Sequence, residues 1–265
     1  MSVGIEIDDG LARVTLRRGA AGNAIDLEMA RGLRDAARAC AGESVSVRAV
    51  LLTGEGKSFC VGGDLAEFSR FSGGPLERHL LAVTDALHDA LRTFAAGDAP
   101  VVAAVQGAVA GAGIGLAASA DLTLAADDAS FTTAYTRIGY SPDAGVSWFL
   151  PRLVGPKRAL DLLLTNRRIA AAEAEAIGLV SRVVPADRLA AEALRTAEAL
   201  RDGPTAAFGA TRRLVATGQN ADLGTQLDRE ARAIAAAAAS AAGREGVAAF
   251  LDKRTPDFTR TATTA

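Results

Sequence analysis

The chain has 265 residues, of which 49% are hydrophobic and 23% charged, and its formal net charge is −2. These values are typical of a globular protein with a large core, and they give no reason to expect nucleic acid or an anionic membrane as a partner. Cys40 and Cys60 could form at most one disulfide, and we expect reduced thiols. No apolar run reaches the roughly 18 residues of a membrane span and no signal-peptide pattern opens the chain, so we predict a cytoplasmic protein.

A β-hairpin, a helix and a strand are predicted first along the chain. Val3–Ile7 and Leu11–Leu16 alternate apolar and polar residues on either side of an Asp-Asp-Gly turn, which is typical of a hairpin. Asp26 can cap a helix that runs to about Cys40. The apolar segment Val45–Thr53 predicts a strand, most of it buried.

The next segment changes from strand-like to helical through two glycines. Phe59–Val61 is strand-like, Gly62 and Gly63 turn the chain, and a helix could then begin at Asp64. A turn of this kind leaves the N–H of Gly63 free. The alternative is an ordinary turn in which Asp64 is only a helix cap.

A helix predicted at Pro75–Ala96 carries both histidines of the chain. His79 and His88 lie near the same face of this helix. No metal-ligand spacing such as H-x-x-x-H is present, so we expect solvated or hydrogen-bonded histidines and no metal site.

The most informative stretch is Pro100–Asp121, which begins with the buried strand Val101–Val105. Glycines follow at positions 107, 111, 113 and 115. A helix that begins after such a bend presents free N–H groups and the positive end of its dipole. We therefore predict that an anion, or an oxygen that becomes anionic, lies near residues 111–113. A dinucleotide fingerprint fails at Leu116, and close packing of a small-residue helix without a ligand is the alternative.

A third informative region joins an acidic turn to an apolar helix. Residues 141–145 have the composition of a turn, and a helix is predicted at Val146–Val154. Asp143 could be the N-cap of that helix, or a general base in a largely apolar pocket.

The other predicted elements are short strands and a series of helices. The strands are Leu122–Ala125, Ser130–Thr133 and Val180–Val184. The helices are Pro156–Leu164, Ala170–Ile177, Ala186–Arg201, Pro204–Ala216, Ala221–Ala239 and Gly243–Arg254. This order predicts a core of residues 1–200 and a helical C-terminal region of residues 201–265.

Five motifs, in this order, resemble the crotonase (enoyl-CoA hydratase/isomerase) superfamily over nearly the whole chain. They are F-C-V-G-G-D-L at 59–65, V-x-G-x-x-x-G-x-G at 105–113 with A-D at 120–121, I-G-x-x-P-D-x-G at 138–145, L-V-S-R-V-V at 179–184, and F-L-D-K-R-T-P-D-F at 250–258. The resemblance implies an α/β fold with a ββα-spiral core and a C-terminal helical region that forms a homotrimer, often paired into a hexamer. It also implies an acyl-CoA thioester as substrate, with coenzyme A as part of the substrate and no separate cofactor.

The resemblance assigns the reacting groups. In such enzymes the thioester oxygen lies between two backbone N–H groups, whose positions match Gly63 and Ala112. The two glutamates with which hydratases activate water would align with Gly115 and Tyr135, so both are absent. Asp143 matches the aspartate of the family's isomerases, including those of the 1,2-epoxyphenylacetyl-CoA type. The resemblance therefore favours an isomerase in which Asp143 carries a proton from one carbon to another.

The resemblance also assigns substrate contacts. Lys57 could meet a phosphate, and Phe250 and Lys253 lie in a motif that reaches the coenzyme A of a neighbouring subunit. Surface solvation is the alternative for the two lysines. Arg17–Ala20 departs from the usual N-R-P-K of the adenine site. The predicted substrate-binding residues are Ala24, Lys57, Val61, Asp64, Leu65, His88, Gly111, Tyr135, Phe250 and Lys253.

Three other functions stay open for this sequence. One is an enoyl-CoA hydratase with atypical acid/base residues. Another is a dehalogenase-like hydrolase of aryl-CoA, since His88 and Asp143 match residues of such enzymes. The third is a catalytically silent oligomer that binds acyl-CoA.

Overall fold

The computed structural model describes residues 1–42 and 46–259. The strands found there are β1 Val3–Asp8, β2 Leu11–Leu16, β3 Ala49–Gly54, β4 Val101–Val105, β5 Ala108–Ala110, β6 Leu122–Ala126, β7 Ser130–Thr132, β8 Ile169–Ala170 and β9 Arg182–Val184. The α-helices are α1 Leu27–Ala41, α2 Leu65–Phe68, α3 Gly73–Ala96, α4 Ala112–Ser119, α5 Val146–Val154, α6 Pro156–Thr165, α7 Ala171–Ala176, α8 Leu189–Arg201, α9 Thr205–Gly218, α10 Leu223–Ala239 and α11 Ala241–Leu251.

The main sheet has six strands in the order β1-β2-β3-β4-β6-β9. Only β1 and β2 are antiparallel, joined in the predicted hairpin with Val3 opposite Leu16; the other neighbours are parallel. Asp9 and Gly10 both have positive φ, as a tight hairpin turn requires. The predicted strand Val45–Thr53 begins too early, because β3 begins at Ala49. Val45, the first residue of the predicted strand, lies outside the described residues.

Helices cover both faces of the main sheet. Alternate residues of β2, β3 and β4 pack with α1, α3 and α4 in the larger core. The other face of the sheet packs against α8, through Leu189, Ala193 and Ala197. This arrangement confirms the predicted α/β fold class.

A smaller sheet has the order β5-β7-β8. Strand β5 was not predicted, because its small residues were interpreted as part of the glycine-rich bend. The predicted strand at Phe59–Val61 is wrong: this segment makes a single bridge, between Cys60 and Val109 of β5. The bridge places the two glycine-rich segments side by side.

Arg18 joins the beginnings of α1 and α2. Its guanidinium nitrogens lie 2.8 Å from Asp64 Oδ2 and 3.0 Å from Asp26 Oδ2, and it also donates to the carbonyl of Ala24. Each carboxylate caps its own helix by accepting a backbone N–H. The predicted capping by both aspartates is therefore confirmed, and one guanidinium fixes the two caps relative to each other.

The predicted C-terminal helices are present as α9, α10 and α11, with ends shifted by a few residues. Helix α10 contains no buried residue, and α11 buries only Ala249. Phe250 has 83% of its surface exposed. Among the described residues no single helix is long and apolar enough to cross a membrane; α10 and α11 meet that length and composition only as a pair bent by 72°.

Gly113 lies in a close contact that a Gly113→Ala substitution would disturb. A Cβ added at this position would lie 2.2 Å from the carbonyl oxygen of Cys60, so backbone would have to move. We expect Gly113→Ala to lower the free energy of unfolding by about 1–3 kcal/mol, measured by urea denaturation. Gly74→Ala is the control, because its Cβ would meet only the end of the Arg78 side chain. An unchanged free energy of unfolding in Gly113→Ala would contradict this close contact.

The pKa of Asp64 predicts how an Asp64→Asn variant responds to acid. Burial alone would raise the pKa of this carboxyl, but the hydrogen bond and charge of Arg18, together with backbone N–H groups, bring its pKa below the ordinary 3.8. A lowered pKa contributes stability that is complete above the unfolded-state value and is lost as the pH falls through the folded-state value. The parent should therefore exceed Asp64→Asn in free energy of unfolding at neutral pH, and this difference should shrink below pH 3.8. A difference that grows on acidification would contradict the predicted sign.

Candidate active site

Two free backbone N–H groups lie at neighbouring glycine bends. Gly62 has a φ of +93° and Gly111 a φ of +51°, both in the left-handed region that favours glycine. A Cβ added to Gly62 would lie 3.4 Å from the nitrogen of Ala112, so the two bends are in contact. The bends are followed directly by Gly63 and by Ala112, the first residue of α4.

Neither of these N–H groups is used by the fold. The segment around Gly63 pairs with Ile25, but the bonds run from Ile25 N–H to the Gly62 carbonyl and from Asp64 N–H to the Ile25 carbonyl. Ala112 begins a helix, where an N–H has no intrahelical acceptor. Within the described parts of the chain, neither N–H donates to a protein acceptor. The pair can therefore bind an oxygen that gains negative charge.

Both N–H groups open into a cavity of about 530 Å³ that also contains Asp143. Its walls are mostly apolar and come from α2, α3 and the chain around residues 133–143. The lining side chains include Ile25, Val61, Leu65, Phe68, Leu80, Val83, Leu87, Tyr135, Ile138 and Tyr140. Apolar surroundings of this kind strengthen hydrogen bonds to developing charge.

Asp143 is held by Tyr135 and does not cap α5. The Tyr135 hydroxyl donates to Asp143 Oδ1 over 2.7 Å. The N-cap of α5 is Gly145, whose position gives no side-chain cap, so the alternative in which Asp143 caps this helix is wrong. One carboxylate oxygen is thus engaged, and Oδ2 accepts no hydrogen bond from the described part of the chain.

Tyr135 is a hydrogen-bond donor at this site and not a base. Its side chain is buried, with 9% of the residue surface exposed. Burial, followed by the neighbouring charge of Asp143, raises the pKa of Tyr135 far above its ordinary value. The phenol therefore stays protonated at neutral pH and can donate its proton in the hydrogen bond to Asp143.

The segment that carries Asp143 fits against Gly115. Ala144 has a φ of +49° and Gly145 a φ of +72°, and Ala144 is fully buried. A Cβ at Gly115 would lie 2.3 Å from the carbonyl oxygen of Ala144. The position at which a hydratase glutamate would align is therefore filled by the backbone next to Asp143.

His88 lies on the opposite side of this segment from the first cavity. Its Nε2 accepts the N–H of Ala144 over 3.1 Å. It lines a second cavity, of about 730 Å³, between α3, α5 and α9. Asp143 lines both cavities, so this residue lies where the two cavities approach each other.

The predicted substrate-binding residues fall into two groups. Those that line the first cavity with the reacting groups are Val61, Leu65, Gly111 and Tyr135. Those that do not line it are Ala24, Lys57, Asp64, His88, Phe250 and Lys253. Ala24 and Asp64 are bound by Arg18, whereas Lys57, Phe250 and Lys253 are exposed in the single chain. Their roles toward coenzyme A stay predictions.

Several cavity residues were not predicted as site residues. Leu80, Val83 and Leu87 recur at helical spacing on α3 and line the cavity, but the same spacing fits ordinary core packing. Arg137 and Tyr140 line it beside Asp143. The sequence offered one signal for them: Tyr140 lies in the motif at 138–145 and Arg137 directly precedes this motif.

Cys60 is not activated as a nucleophile, and the described residues contain no cluster of metal-ligating side chains. Burial raises the pKa of the Cys60 thiol to about 12, with the charge of Asp143 adding to the shift. The thiol is therefore protonated and a poor nucleophile. In the described residues, no group of three or more His, Cys, Asp or Glu side chains could hold a metal ion.

The chain is similar to known proteins over nearly its whole length. The sequence profile of the family "Enoyl-CoA hydratase/isomerase" matches residues 6–261. A Rhodobacter capsulatus protein named "Probable enoyl-CoA hydratase" is 42% identical over 254 residues, which cover 96% of each chain. The Escherichia coli 1,2-epoxyphenylacetyl-CoA isomerase is 35% identical over 253 residues, again 96% of each chain.

Solved structures have the same fold. The crystal structure of a Mycobacterium abscessus protein described as an enoyl-CoA hydratase/isomerase superposes with a TM-score of 0.89 at 38% identity, over 97% of this chain and 98% of that one. The family model, the relatives and this structure confirm the predicted resemblance. The chain belongs to the enoyl-CoA hydratase/isomerase family, the crotonase superfamily.

Proposed function

We propose that this protein is an enoyl-CoA isomerase in which Asp143 moves a proton between two carbons of an acyl-CoA substrate. The observation that carries the proposal is the position of Asp143: it lines the same cavity as Gly63 and Ala112, whose N–H groups are free. A thioester oxygen bound by the two N–H groups would place the neighbouring carbons in that cavity.

The two N–H groups favour the charged intermediate over the bound substrate. When a base removes a proton from the α-carbon, negative charge moves to the thioester oxygen. Gly63 and Ala112 would donate to this oxygen without reorganising, since both bends are fixed by close contacts. Each such donor is worth roughly 3 kcal/mol of the barrier.

The proton transfer needs one carboxylate and no water. With a 3-enoyl-CoA, Asp143 takes a proton from the α-carbon, and the electron pair spreads over the dienolate to the thioester oxygen. The same proton, or one exchanged on the carboxylate, is then returned to the γ-carbon as the double bond moves to the 2,3 position. Tyr135 donates to Oδ1, which leaves Oδ2 to move the proton.

Hydration is the second candidate, since a relative with 42% identity is named a probable hydratase. Activation of water by two glutamates has no counterpart here. Gly115 has no side chain and no room for one, and the pKa of Tyr135 is raised far above that of a useful base. The site therefore supports isomerisation better than hydration.

Two further alternatives receive less support. A dehalogenase-like hydrolase would use its histidine toward the substrate, but His88 accepts the N–H of Ala144 and lines the other cavity. A silent acyl-CoA-binding oligomer would not need a carboxylate in the cavity.

We also propose that the protein assembles into a homotrimer or hexamer, because Phe250 and much of α10 and α11 are exposed in the single chain. We further propose a cytoplasmic location.

The first experiment tests Asp143 with three substrates. Purified protein is offered 3-enoyl-CoA, 2-enoyl-CoA and 4-chlorobenzoyl-CoA, and products are followed by chromatography. We expect isomerisation of the 3-enoyl-CoA, and a loss of about 10²–10⁴-fold in kcat in Asp143→Asn, which removes the general base.

Asp85→Asn is the matched control for charge, because Asp85 is exposed on α3 and does not line the cavity. Equal isomerase rates for the parent and Asp143→Asn would contradict the role of Asp143. Rapid hydration of the 2-enoyl-CoA, or chloride release, would favour one of the other functions.

A second experiment tests whether a glutamate at position 115 gives the protein hydratase activity. In Gly115→Glu the new Cβ would lie 2.3 Å from the Ala144 carbonyl oxygen, so the Asp143 segment must move. We expect no gain of hydratase activity and a loss of isomerase activity of about 10²-fold. Gly115→Ala should already lose part of the activity, whereas Gly74→Glu, at the exposed start of α3, should lose none. Fast hydration by Gly115→Glu would show that the proposed packing conflict is wrong.

A further inference from the structure

The backbone on the C-terminal side of Asp143 is in an unusual conformation. Ala144 has a φ of +49°, a region that residues with a Cβ rarely occupy. It is followed by Gly145, also with positive φ. Contacts from outside the segment must therefore keep it in this conformation.

Such contacts come from three directions. The Tyr135 hydroxyl holds the carboxylate of Asp143. Gly115 leaves the space that the Ala144 carbonyl occupies. Among the described residues, however, only His88 has a side chain that bonds to the backbone of Ala144 itself, by accepting its N–H at Nε2.

The imidazole of His88 comes from a rigid element. Its neighbours Leu87, Ala90 and Leu91 on α3 are buried in the main core. His88 lines the second cavity and not the first, so it is not placed to touch the reacting atoms. Because Nε2 accepts an N–H, the neutral ring must carry its proton on Nδ1.

We propose that His88 is a positioning residue for the reaction: its Nε2 holds the N–H of Ala144, and this bond fixes the direction in which the Asp143 carboxylate enters the substrate cavity. The inference rests on the proposed role of Asp143 as the proton carrier. Loss of the bond would let the Asp143 segment relax away from the reacting carbon. Small displacements of a reacting group are costly, about 10²-fold in rate for an ångström.

The simpler alternative is that His88 only satisfies a buried N–H and so contributes to stability. The two roles differ in what an isosteric amide can restore. The side-chain oxygen of glutamine can take the place of Nε2, whereas that of asparagine takes the place of Nδ1 and cannot reach the Ala144 N–H. His88→Gln and His88→Asn are therefore a matched pair.

The test is steady-state kinetics of 3-enoyl-CoA isomerisation together with thermal unfolding. We expect kcat to fall by about 10–100-fold in His88→Asn, with KM changed by less than about threefold, and His88→Gln to stay within about fivefold of the parent. Arg92→Leu is the control for the second cavity, because Arg92 lines this cavity and, within the described chain, makes no hydrogen bond to residues 142–145. This variant should keep the parent's kcat. Equal kcat in the Asn and Gln variants, whether both high or both low, would overturn the inference.

Two readouts separate this inference from the proposed function, because neither needs turnover. Nitrogen-15 NMR of the labelled parent should show the neutral Nδ1–H tautomer for His88, and hydrogen exchange of residues 142–146 should be faster in His88→Asn than in His88→Gln. An Nε2–H tautomer, or equal exchange in the two variants, would refute the bond even in an active enzyme. A parent with these signatures but no isomerase activity would instead refute the proposed function.

Discussion

The contact between two glycine bends is the constraint on which the candidate site depends. Gly62 turns the first bend against the carbonyl oxygen of Ala110, 3.0 Å from where its Cβ would be, and Gly113 lies against the carbonyl of Cys60 in the same way. No side chain fits at either position. Because backbone touches backbone on both sides, the Gly63 and Ala112 N–H groups are fixed relative to each other before any ligand arrives.

A second close contact determines which acid/base group the site can contain. Gly115 leaves room for the backbone of Ala144, and that backbone presents Asp143 to the cavity. A side chain at position 115 would therefore compete for space with Ala144, the residue that follows Asp143. The absence of the first hydratase glutamate therefore permits the present position of the Asp143 segment, on which the proposed isomerase chemistry depends.

Much of the fold could be predicted from local sequence. The hairpin, β4 and α5 follow from apolar patterning and turn residues, and Asp64 caps a helix as predicted. Strand β5 could not be predicted, since its three residues are small and its partner β7 lies far along the chain. The role of Asp143 was also ambiguous, because an aspartate before an apolar helix suits an N-cap as well as a base. Its tertiary contact with Tyr135, and the N-cap at Gly145, exclude the capping role.

Only part of the candidate site could be predicted from the sequence. The free N–H groups come from glycine bends that are visible in the sequence, and the family motifs point to Asp143. The Tyr135–Asp143 and His88–Ala144 bonds join separate elements, so no local pattern encodes them. The proposed contacts to coenzyme A and the proposed subunit assembly would depend on partners outside the single chain.

The most direct test of the proposed chemistry is α-proton exchange of a saturated acyl-CoA, which can form the enolate but has no double bond to move. Butyryl-CoA is incubated with the protein in D₂O, and loss of the α-proton signal is followed by proton NMR. Asp143 also lines the second cavity, through which its proton can exchange with solvent. The account predicts exchange with the parent and none above the non-enzymatic rate with Asp143→Asn. No exchange with the parent, or equal exchange in both, would contradict it.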